Sequence, residues 1–201
     1  SDIQFSDANL AACVQATANS KAWTLISEAS ELHCGNKNIR DLNGLQHFNA
    51  LTWLTFENNQ VSSLAPLAGL SQLELLYFYN NDVSDLSPLA NLTALLYLNL
   101  SYNSVTDISM LGNLYALKLL HLTGFDETNE LTDVAVLANF SALDNLSMNV
   151  SKTVDISVVG NLTALTRLSV SGSRTTELSM LSNLTALTSL GLSNGLLNDI
   201  S

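Results

Sequence analysis

A period of 22 residues constrains this chain more than any other feature. Leu54-Thr55-Phe56-Glu57-Asn58-Asn59 returns as Leu76-Tyr77-Phe78-Tyr79-Asn80-Asn81, and again as Leu98-Asn99-Leu100-Ser101-Tyr102-Asn103. One step back falls on Leu32 and Cys34. Steps forward fall on Leu120/Leu122, Leu146/Met148, Leu168/Val170 and Leu190/Leu192. The interval from Leu120 to Leu146 is 26, so that copy carries four extra residues. A second ladder keeps the same register: Asp41, Ser63, Asp85, Asp107, Asp133, Asp155, Glu177 and Asp199. No single copy of this length can bury its own apolar side chains, so the copies must stack against one another.

Each copy holds an x-Leu-x-Leu-x run, which as a short strand sends alternate side chains inward and outward. The apolar residues that follow, such as Val83, Leu86, Leu89, Leu92 and Leu95, reach the same interior. Asn59, Asn81 and Asn103 stand where the chain leaves the strand, where a buried amide can satisfy backbone groups that no sheet pairs. That position then changes to Phe125, Ser151, Ser173 and Gly195, and the apolar site two residues later weakens to Thr153 and Thr175, with Val154 as a substitute. The C-terminal half is therefore expected to be less regular and less stable. The acidic ladder reads as carboxylates capping short turns on the opposite side.

Composition narrows the choice further. With 47% hydrophobic residues, 41 of them leucine, and 12% charged residues, the chain is not a disordered one. Eighteen acids against seven bases give a net charge of −11, which offers no basic face for nucleic acid. No apolar run reaches the roughly 18 residues of a membrane span. Before Leu32 the pattern changes: Phe5-Ser6-Asp7 leads into an expected helix over Ala8–Ala18, capped by Ser6 or Asp7, with Leu10 and Val14 on one face.

These residues resemble the leucine-rich-repeat family, L-x-x-L-x-L-x-x-N, in the 22-residue form of bacterial internalin-like proteins; the segment 95–108 follows the pattern closely. The resemblance covers residues 30–201. It implies an α/β solenoid with a parallel β-sheet on the concave face and 3₁₀ or short helical turns on the convex face. The expected organisation is an N-terminal helical cap over 1–29 and about eight coils over 30–201, with the four-residue insertion near 123–130.

Cys13 falls in the cap helix and Cys34 at an inward strand position that the helix must cover. A Cys13–Cys34 disulfide, implying an oxidising compartment, is the economical reading; the alternative is two buried thiols. The resemblance does not include such a bridge, and this departure points to a periplasmic, surface or secreted protein. His33 and His121 share a strand position four coils apart, about 19 Å, too far for one metal. No serine has a positioned His and Asp partner, so no catalytic, metal or cofactor site is expected. The acidic stretch 126–130 fits no known calcium loop and is expected to be solvated.

The outward strand positions are asymmetric. Trp53, Glu57, Tyr77, Tyr79, Tyr97, Asn99 and His121 cluster on coils two to five, beside Leu75 and Leu119. Ser101 and Thr123 complete those coils, and the later coils show mostly Ser, Asn and Gly. Aromatic side chains with polar tips are what protein interfaces enrich. The bland alternative is cross-strand stacking that only stabilises the sheet. The resemblance implies recognition of a protein partner, on a host or other surface, through the concave face. Glycan binding through the aromatic patch and a spacer role in a larger surface protein are the alternatives. Asp199-Ile200-Ser201 stops before the equivalents of Leu67, Leu70 and Leu73, so the last coil is expected to be covered by further chain or by self-association with another copy.

Overall fold

The computed structural model describes residues 3–124, 130–172 and 178–193. Asp7 opens an α-helix, α1 (Ala8–Lys21), by accepting the backbone N–H groups of Asn9 and Leu10 on Oδ1 at 2.8 and 3.1 Å. Its Oδ2 accepts from Arg40 and Asp41 N–H at 2.8 and 3.3 Å, so one carboxylate both caps the helix and fastens it to the first coil. Ser6 Oγ donates to Asp41 at 2.7 Å, and Phe5 packs on Phe48 across Gly44. The helix buries Leu10, Cys13 and Val14 against the solenoid. Cys13 and Cys34 form a disulfide, with their Cα atoms 5.9 Å apart.

Eight strands follow in one parallel sheet ordered as in the chain. They are β1 (Glu31–His33), β2 (Trp53–Thr55), β3 (Leu75–Tyr77), β4 (Tyr97–Asn99), β5 (Leu119–Leu122), β6 (Asn145–Asn149), β7 (Arg167–Ser171) and β8 (Ser189–Ser193). Register advances by one repeat per strand: Leu32, Leu54, Leu76, Leu98, Leu120, Leu146, Leu168 and Leu190 pair in sequence. Each coil returns through a 3₁₀ turn, as at Ala65–Leu67, Ser87–Leu89 and Ser109–Leu111. The acidic ladder opens these turns. Asp85, Asp107, Asp133 and Asp155 each accept the N–H two residues on, at 2.7–2.8 Å. The hydrogen bonds that capture Asp85, Asp107 and Asp155, backbone first and the serine side chain second, hold their carboxyls below the usual range.

The core is one continuous column from Leu10 to Leu184. Inside it Phe56 and Phe78 stack at 5.3 Å, and the inward leucines of β2 to β6 are fully buried. Leu190 on β8 is 45% exposed. Asn59 is buried, and its side chain makes five hydrogen bonds. It accepts from Lys37 and Ile39 N–H, and donates to the carbonyls of Cys34, Phe56 and Glu57. Asn81 and Asn103 repeat the arrangement one and two coils on.

The C-terminal half, expected to be less regular, includes residues 173–177 and 194–201, which lie outside the described residues. Where the asparagine is absent the strands lengthen, to five residues in β6, β7 and β8. Val150 N–H bonds Ser171 O, and Gly172 N–H bonds Ser193 O, as Asn58 N–H bonds Tyr79 O and Asn80 N–H bonds Ser101 O in the earlier coils. Thr153 stays exposed while half-buried Val154 packs on the core in its place. The sequence features at Phe125–Asn129 and in the last eight residues, including most of the acidic stretch 126–130, lie outside the described residues.

Candidate functional site

Alternation along three-residue strands leaves two outward rows that the register makes continuous. One runs Glu31, Trp53, Leu75, Tyr97, Leu119, Asn145, Arg167, Ser189. The other runs His33, Thr55, Tyr77, Asn99, His121, Ser147, Ser169, Gly191. Trp53 is 43% exposed, and Leu75, Tyr77, Tyr97, Asn99, Leu119 and His121 are half-buried. Tyr77 and Tyr97 stand on adjacent strands. Burial first, and then the neighbouring Tyr97, pushes the Tyr77 phenol up, so it remains a hydrogen-bond donor in neutral solution.

Beyond the strands a third row carries Glu57, Tyr79, Ser101 and Thr123. The sequence pattern treats all four as outward, but Ser101 is only 5% exposed. Its Oγ sits between Thr123 N and Thr123 Oγ1, at 3.2 and 3.1 Å, so it closes the edge of the sheet rather than presenting a surface. Asn99 Oδ1 accepts Ser101 N–H at 3.0 Å, which turns this side chain along its own strand. His121 Nε2 lies 3.1 Å from Asn145 Oδ1 on the next strand. The Glu57 carboxylate lies over Gly35, where a Cβ would stand 2.2 Å from Oε1.

Two further aromatic groups adjoin this surface. His33 meets Trp53 edge-on at 5.0 Å, with Nδ1 3.1 Å from Thr55 Oγ1. Glu31 beside it takes an ion pair from Lys21 of the cap helix, tying helix and face together. Tyr102 meets Tyr79 edge-on at 5.7 Å. Both were findable: His33 stands one period before Thr55, and Tyr102 one period after Asn80. Among the described residues no three His, Cys, Asp or Glu side chains converge to hold a metal ion. No helix among them is long and apolar enough to cross a membrane.

The one-coil register, the buried leucine pairs, the 3₁₀ returns and the helical cap define a leucine-rich-repeat solenoid. The chain is similar to an internalin (inlF) from Listeria monocytogenes, with a TM-score of 0.86 and 29% identity over 95% of this chain and 57% of that one. It is also similar to an internalin C2 (inlC2) from the same organism, with a TM-score of 0.81 and 24% identity over 98% of this chain and 88% of that one. Neither a family model nor a curated protein sequence matches it. The chain has a leucine-rich-repeat fold with 22-residue repeats like those of the internalins, and it spans just over half the length of the inlF chain.

Proposed function

We propose that this chain is a recognition module that binds a protein partner through its concave face, with residues 1–29 as cap and 30–201 as solenoid. An internalin-like repeat fold suggests a protein-interaction module. The observation that supports this face is the in-register placing of Trp53, Tyr77, Tyr97 and His121 on β2 to β5, flanked by Glu57, Tyr79 and Asn99. The core does not require these side chains, because the alternating inward positions are already filled by leucine and phenylalanine. Large side chains with polar tips desolvate well and dominate protein interfaces. The disulfide supports an exported, oxidising setting. The module is read as a binder and not as an enzyme.

The test is a photo-crosslinker placed at Thr55 on the face or at Ser109 on the convex side, followed by affinity measurement on whatever protein is captured. Capture from Thr55 alone is expected. Tyr77→Ala and Tyr97→Ala should then each weaken binding by about 1–3 kcal/mol with little change in Tm. Leu98→Ala, by contrast, should cost about 2–5 kcal/mol of stability. Capture from Ser109 alone, or affinity indifferent to both tyrosines, refutes the proposal.

A further inference from the structure

We infer that Tyr102 carries the recognition surface over the edge of the sheet, and that a tyrosine stands at this turn for the partner and against the preference of the backbone. This rests on the concave-face reading above and adds a residue that the strand pattern does not include. The turns after β1, β2, β3, β4 and β7 each hold a residue with positive φ at the same position. Asn36, Asn58 and Asn80 occupy it at 60°, 56° and 58°, and Gly172 at 94°. These are the residue types that tolerate the left-handed region. Val150, one copy before Gly172, shows no positive φ and pairs along the sheet. Tyr102 has φ of 57°.

Neighbouring coils impose that conformation from both sides. Tyr102 N–H donates to Thr123 O at 2.6 Å, and its carbonyl accepts Asn81 N–H at 3.2 Å. Asn80 makes the same pair of bonds one coil earlier, to Ser101 O and from Asn59 N–H. Backbone geometry is thus the same for both residues, and only the side chain differs. Asn80 Nδ2 donates to Asn58 Oδ1 at 2.8 Å, and an asparagine at 102 would add the next rung. Tyrosine stands there instead. It sets a half-buried ring edge-on to Tyr79, adjoining the row that contains Glu57.

Charge selects the occupant. Across β2 to β6 the three rows hold Trp, Leu, Tyr, Asn, Thr, Ser and His, and a single ionised side chain, Glu57. Glu57 forms no ion pair among the described residues. In a chain of net charge −11 this surface repels acidic partners and fits a polypeptide segment with aromatic or apolar side chains and a basic group toward Glu57.

The probe is a phage-displayed library of random dodecapeptides, selected on the intact, disulfide-bonded chain. Selected peptides should be enriched in aromatic residues and in Lys or Arg. Tyr102→Asn should weaken them about tenfold, as Tyr97→Ala does, while leaving Tm unchanged or raising it. Tyr102→Phe, which keeps the ring, should retain binding within about threefold. If Tyr97→Ala weakens binding and Tyr102→Asn does not, this inference fails and the concave-face reading stands. If neither does, or no peptide enriches, both fail. A fall in Tm for Tyr102→Asn makes the tyrosine structural, and enrichment of acidic peptides refutes the charge argument; either result overturns the inference.

Discussion

Removing the Asn81 side chain tests why the early coils close as they do. Its Oδ1 accepts Val61 N–H at 3.0 Å, and its Nδ2 donates to Phe56 O and Phe78 O at 2.8 and 3.2 Å. All three neighbours are fully buried. In Asn81→Ala the two carbonyls keep one donor each, Asn59 for Phe56 and Asn103 for Phe78. Val61 N–H is left without a partner. The two donated bonds account for about 1 kcal/mol each and the stranded N–H for about 2 more, so the expected loss is about 4 kcal/mol. Equilibrium urea unfolding, followed by tryptophan fluorescence and by circular dichroism, measures it; two probes are needed because stacked repeats need not unfold as one unit. Asn81→Asp separates hydrogen bonding from size. Its second oxygen would face two carbonyls in a buried site, which raises the folded-state pKa above the unfolded value of about 3.9. A raised folded pKa favours the native state below the unfolded pKa and loses that advantage as pH climbs. The variant should therefore lie closest to wild type near pH 4 and furthest from it near pH 7. A loss below about 1 kcal/mol for Asn81→Ala, or a pH-independent deficit for Asn81→Asp, would refute this account of the turns.

Reducing the Cys13–Cys34 bridge, which spans 21 residues, should cost about 3 kcal/mol in urea and add about 2 Da to the intact mass. Two freely alkylated thiols in the native protein would contradict it. The lowered carboxyl pKa values of Asp41, Asp85, Asp107 and Asp155 contribute stability above the unfolded value of about 3.9 that disappears as pH falls through the folded values. Tm should accordingly drop below about pH 4, and a triple Asp→Asn variant at 85, 107 and 155, which keeps the acceptors but cannot titrate, should show a shallower acid limb. Gly172→Ala would place a Cβ 2.0 Å from Val150 O at a φ of 94°, and should cost about 2–3 kcal/mol, read as a Tm lowered by roughly 5–10 °C.

Fold was legible because leucine spacing reports directly on which side of a strand each residue faces. The inward pairs from Leu32/Cys34 to Leu168/Val170 are buried where the 22-residue period places them. The face was legible for the same reason, since the residues between those pairs have nowhere else to point. Period alone did not show how far the outward pattern persists beyond each short strand. Ser101 sits at an outward register position yet turns in to serve Thr123, because the chain is already leaving the sheet there and side chains answer to local hydrogen bonds. Tyr102 escaped for the opposite reason: its position belongs to the turn, where asparagine elsewhere makes the site look purely structural.

The coils of the two halves leave the sheet differently. In the first half buried amides serve inward carbonyls: Phe56 O takes Asn59 and Asn81 Nδ2, and Phe78 O takes Asn81 and Asn103 Nδ2. From β6 onward the paired strands run further, to Asn149↔Ser171 and Ser171↔Ser193, and serine stands in the sequence where the amide was. Continued pairing brings backbones into contact at the coil edge, which is why glycine stands at 172 with Val150 O directly over it. Gly172 stands at the position of Asn58, Asn80 and Tyr102, one residue before the buried amides, and shares their positive φ. The aromatic residues lie in the half closed by asparagine, where strands are three residues long and turns begin early. There the turn position at 102 comes close enough to the outward rows for a tyrosine to join them.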